Sequence, residues 1–104
     1  MAIERDVERF LVNQLKLGHI ECYKWTSPGV RGVPDRIVLS AGRIWFVELK
    51  RPGKKPRANQ IVVHRKLARE GFNVRVIASK EEAKAFAEEV KAWKQSSDHI
   101  KDTP

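Results

Sequence analysis

Two apolar runs, RIVLS at 36–40 and RIWFVELK at 43–50, are separated only by Ala41 and Gly42. β-Branched and aromatic runs this close together across a Gly-containing gap leave the chain little choice but a β-hairpin. Both runs are nearly continuously apolar, so both faces of the sheet they belong to are expected to be covered. The charges are confined to one end. Asp35 precedes the first run, and Glu48 and Lys50 close the second.

Residues two apart on a strand share a face, so Glu48 and Lys50 point the same way, beyond Ile44 and Phe46. A two-residue loop at Ala41-Gly42 pairs Ser40 with Arg43 and, counting outward, Asp35 with Glu48. A four-residue loop gives the same register. A three-residue loop with Gly42 at a bulge slips it by one and separates the two carboxylates. In the first register the carboxylates lie about 4.5–5.5 Å apart at Cβ and repel. A hard divalent cation between them offsets that repulsion, with oxygen ligands and retained waters of the kind Mg²⁺ prefers. The plainer alternative is a solvated strand end with a Glu–Lys ion pair.

The flanks complete a small mixed α/β architecture. IERDVERFLVNQLKLG places Ile3, Val7, Phe10, Leu11 and Leu15 on one helical stripe, and Gly18 ends it. IECYKW reads as a short strand and TSPGVRGVPD as a loop. After the hairpin and the loop RPGKKPR, residues Ile61, His64, Leu67 and Ala68 share a helical stripe that stops at Gly71. FNVRVIA alternates as a strand. Ser79 with Glu82 forms a capping box opening a last helix through Trp93. The order is α-β-β-β-α-β-α over a single domain at 1–94, with a polar, fraying tail at 95–104.

Charge is unevenly placed. Residues 1–79 hold 16 Lys+Arg against 7 Asp+Glu, 80–94 hold four of each, and the tail carries a net −1. The excess sits with the hairpin, where it attracts polyanions, nucleic acid first among them. KRPGKKPR, five basic residues in eight, directly follows the carboxylates and suits a phosphate backbone. The residues expected to make such contacts are Arg51, Lys54, Lys55 and Arg57, with Lys24, Arg31 and Arg36 around the preceding loop. Trp25 is a candidate base-stacking or core residue. Cys22 is alone, which excludes an internal disulfide and a Cys-rich zinc site. His19, His64 and His99 lack metal-ligand spacing, and His64 is expected at the core or its edge. No run approaches the roughly 20 apolar residues of a membrane span, and the N-terminus has no signal-peptide apolar region, so an intracellular setting is expected.

Pro34-Asp35, an apolar strand, then Glu48-Leu49-Lys50 resembles the motif of the PD-(D/E)-x-K nuclease superfamily. With YKWTSPGVRGVPDRIV, FVELKRPG, Gln60 and LAREGFNVRVI, the chain from about Ile3 to Ser79 resembles the virus-type replication-repair nuclease (VRR-NUC) family. The resemblance implies a restriction-endonuclease-like core and Asp35 and Glu48 as ligands of Mg²⁺ or Mn²⁺, with the Leu49 carbonyl a further ligand. It also implies Lys50 as the catalytic lysine and Gln60 beside the site. A first-helix glutamate belongs to the pattern too. Glu4 and Glu8 compete for it, and spacing back from LKLG favours Glu4. The implied activity is metal-dependent endonucleolytic hydrolysis by a stand-alone, phage-like homodimer acting on branched DNA such as four-way (Holliday) junctions, in the cytoplasm of the host cell if phage-encoded. The alternatives are a non-catalytic nucleic-acid-binding module with the same fold and a sequence-specific restriction enzyme. The latter usually carries recognition segments that are missing here.

Overall fold

A computed structural model describes residues 3–96. It contains α1 (Glu4–Leu17), β1 (Glu21–Lys24), β2 (Arg36–Ser40), β3 (Arg43–Leu49), α2 (Ala58–Arg69), β4 (Asn73–Ile77) and α3 (Lys80–Ser96). The four strands form one sheet in the order β1-β2-β3-β4. The first three are antiparallel neighbours and β4 runs parallel to β3, which requires a crossover that α2 supplies. The architecture is the expected mixed α/β one.

The hairpin takes the two-residue loop. Ser40 pairs with Arg43 and Arg36 with Val47, and Ala41 and Gly42 both have positive φ, 47° and 81°. A type I′ turn demands this of both central residues; Gly42 adopts it freely and Ala41 at some strain. Alternation along β3 then assigns the faces. Trp45, Val47 and Leu49 turn to one side, and Ile44, Phe46 and Glu48 to the other.

The first side is the main core. Val7, Leu11 and Leu15 of α1 and Ala83, Phe86, Ala87 and Val90 of α3 bury against Val38, Trp45, Val47, Leu49 and Ile77. Spacings of three and four residues put each helical set on one stripe. Ser79 Oγ accepts from the Glu82 amide (3.0 Å), while the Glu82 carboxylate accepts from the Ala78 amide (2.7 Å), so the expected cap opens α3. The helix continues three residues past Trp93. Its last turns are anchored: Trp93 Nε1 donates to the Ser40 carbonyl, Lys94 Nζ to the Gly18 and His19 carbonyls, and Arg43 stacks 3.7 Å over the Trp93 ring. The tail expected at 95–104 therefore begins as helix, and residues 97–104, with His99, lie outside the described residues.

The second side departs from expectation. α2 covers it only in part and has no fully buried residue. Phe46 is buried beneath Trp25 (ring centroids 5.2 Å apart) and Phe72 (5.5 Å), which assigns Trp25 to packing. Ile61, Val62, Phe72 and Val76 stay exposed. An apolar strand implies a covered face only if enough chain remains to cover it, and here α1 and α3 both go to the other side. Among the described residues, no helix is long and apolar enough to cross a membrane.

This asymmetry has a measurable consequence. Leu11→Ala, in the sealed core, should cost about 2–5 kcal/mol in urea unfolding, whereas Ile61→Ala on α2 should cost less than about 1 kcal/mol. Equal losses would show that both faces contribute alike.

Candidate active site

The hairpin register brings Asp35 opposite Glu48, one step beyond the Arg36–Val47 pair. Asp35 does not swing away from its neighbour. Its Oδ2 accepts the Leu49 amide at 2.8 Å, and its backbone carbonyl accepts from Trp25. The Leu49 N–H points toward Asp35 because alternate residues of a strand direct their backbone groups to opposite edges, and the Lys50 N–H goes to Ile77 on β4.

Glu48 is only 1% exposed, an unusual state for a carboxylate. Gln60 Nε2 donates to its Oε2 at 2.9 Å and Lys50 Nζ stands 3.2 Å from the same oxygen. Its Oε1 is buried without a hydrogen-bond partner. Burial first, and then the negative charge of Asp35, push the Glu48 carboxyl up to about 7 against the pull of Lys50. Lys50 is itself 6% exposed.

Gln60 is fixed at both ends. Its Oε1 accepts the Arg57 amide at the start of α2 at 2.8 Å, which leaves its NH₂ aimed at Glu48. The loop before β2 is pressed onto the same turn. Gly32 has φ +92°, and a Cβ there would fall 2.6 Å from the Asn59 carbonyl oxygen, so no other residue fits. His64, one turn beyond Gln60, lies 3.9 Å from Glu48 Oε1. Burial and the charge of Lys50 lower its pKa and favour the neutral imidazole. Sequence reading missed His64, although its i+4 spacing from Gln60 was available as a signal.

Of the two first-helix glutamates, Glu4 is the one whose charge reaches Glu48. Glu8 is held by Arg36 at 2.8 Å. Arg36, expected among the phosphate contacts, is paired with Glu8 here. Being adjacent to Asp35, it points to the opposite face of the sheet, toward α1. Lys24, Arg31, Arg51, Lys54, Lys55 and Arg57 are all exposed.

Among the described residues no three His, Cys, Asp or Glu side chains converge as a cation cage. The family resemblance supplies instead two carboxylates and the Leu49 carbonyl as donors, all hard oxygens. Mg²⁺ and Mn²⁺ fit such a set, because Mg²⁺ is commonly held by one or two carboxylates and keeps several waters. The Glu48 carboxyl, raised by burial and by the charge of Asp35, fits a positive charge between the two groups.

No family model matches the chain. It is 46% identical over 80 residues to "Putative nuclease p44" of Acyrthosiphon pisum secondary endosymbiont phage 1, covering 75% of this chain and 85% of that one. A solved structure described as a VRR_NUC domain superposes with a TM-score of 0.75 at 30% identity, covering 82% of this chain and 94% of that one.

In metal-free protein the Glu48 carboxyl, raised above its ordinary value of 4.5 to about 7, stabilises the fold when protonated. That contribution is complete below the unfolded value and is lost as pH rises through the folded one. The melting temperature of wild type relative to Glu48→Gln should therefore fall between about pH 4.5 and 7. A flat difference across that window would mean that Glu48 is not destabilised by its burial.

Proposed function

The chain belongs to the VRR-NUC nuclease family, and from that premise we propose that it is a divalent-metal-dependent DNA endonuclease selective for branched structures such as four-way junctions. The observation that carries this reading is the convergence of Asp35, Glu48, Lys50 and Gln60 at one sheet end, with two carboxylates opposed across the hairpin. In this reading Asp35, Glu48 and the Leu49 carbonyl hold Mg²⁺ or Mn²⁺. Such an ion neutralises charge on the phosphate and lowers the pKa of a bound water.

The chain's own residues do the rest. Lys50, beside Glu48, supplies a positive charge where hydrolysis of a phosphodiester accumulates negative charge. Gln60 is neutral and orients Glu48. Glu4, exposed at the start of α1, adds negative charge on the open side of the site. Lys24, Arg31, Arg51, Lys54, Lys55 and Arg57 hold phosphates without reading bases. In this reading substrate choice rests on DNA shape. A homodimer, with a second copy over the exposed Phe72 and Val76, suits a junction of two-fold symmetry.

The test is cleavage of a labelled four-way junction and of its linear duplex arms, with Mg²⁺ and with EDTA. Cutting of the junction with Mg²⁺ alone is expected, and equal cutting of the duplex would discard the branched-DNA part. Asp35→Asn and Glu48→Gln should abolish cleavage and retain junction binding, since each removes a cation ligand and no phosphate contact. Loss of both in a folded variant would contradict these roles. Sedimentation as a monomer on the junction would discard the dimer.

The basic loop yields an independent test. Replacing Lys54, Lys55 and Arg57 with Ala should weaken binding and flatten its dependence on log[salt] by close to one unit per lost phosphate contact. An unchanged slope would make the loop a solvated turn.

A further inference from the structure

Every hydrogen bond or ion pair within bonding distance of Glu48 among the described residues falls on one oxygen. Gln60 and Lys50 both meet Oε2. A carboxylate held at one oxygen can swing about it. What faces Oε1 is His64, from the same helix as Gln60 and one turn along it, with Nε2 at 3.9 Å. Both atoms are buried and neither has a hydrogen-bond partner. A buried polar atom left without a partner is costly. Two such atoms facing each other at 3.9 Å are a built pair rather than two separate defects.

We propose that His64 is a positioning residue for Glu48, holding Oε1 through Nε2 as Gln60 holds Oε2. Gln60 and His64 together form a two-point clamp on one face of α2 that sets the plane of the carboxylate. The clamp's role in catalysis rests on the nuclease reading; the contact itself does not. His64 touches no reacting atom in this scheme and acts through Glu48, as partners of metal-ligating carboxylates do.

Two measurements test it. The first needs no cation. The ¹⁵N resonance of His64 Nε2, recorded in EDTA at fixed pH, should move on Glu48→Gln; an unmoved resonance overturns the contact. The second is Mn²⁺ affinity, read by electron paramagnetic resonance, in His64→Leu and His64→Gln. The leucine variant should bind about 10-fold more weakly or worse. Glutamine, whose amide can reach the Nε2 position, should recover most of that loss, with the KM for junction DNA unchanged in both. If leucine matches wild type, or if glutamine is no better than leucine at equal melting temperature in EDTA, His64 is only packing and the proposal falls. If wild type itself neither binds Mn²⁺ nor cuts DNA, it is the nuclease reading that fails, and the nitrogen resonance alone decides the contact.

Discussion

A carboxylate withdrawn from water at the end of a central strand is the constraint around which this protein is arranged. Glu48 is buried next to a second carboxylate, and both burial and that neighbour oppose its charge. Left alone, such a group would protonate or turn outward. It is kept in place by an amide from α2 and an ammonium two residues along its own strand. Asp35 is held just as firmly, by the Leu49 amide. The two negative groups are thus tied independently to the backbone and to a helix, and their mutual repulsion is built in rather than relaxed.

The sheet makes this possible by dividing its faces. One side carries nearly all the fully buried apolar residues, under α1 and α3, and supplies the stability. The other is thinly covered by α2 and can accommodate an unfavourable polar cluster. Asp35 and Arg36 show the division within two residues: one looks into the site, the other crosses to Glu8 on the far side. Which face of the sheet a charged residue next to Asp35 presents is therefore decided by the pleat, not by its place in the sequence.

Much of this was legible because strands impose parity. Ala41-Gly42, the apolar runs and the flanking charges sufficed to place Asp35 opposite Glu48, once a turn of even length was taken. The helices followed from their stripes and caps. Arg36 shows that charge has to be weighed with that same parity, since it pairs with Glu8 on the far face. The open second face was not foreseen because strand composition reports what a face tolerates, not whether a helix is left to occupy it. His64 was placed at the core or its edge, where it lies, but its nearness to Glu48 is tertiary: the helix stripe shows that it shares a face with Gln60, not that a glutamate from another strand comes to rest beside both. The choice between Glu4 and Glu8 likewise involves a long-range partner, since Arg36 holds Glu8.

Gly32 joins the loop that delivers Asp35 to the helix that carries Gln60 and His64. Its Cα meets the Asn59 carbonyl with no space for even a methyl group. The contact is between main chains, so no side chain can repack to loosen it. The contact ties the loop that delivers Asp35 directly to the turn that opens α2, so a side chain added at Gly32 would disturb the approach of Asp35 and of Gln60 at once.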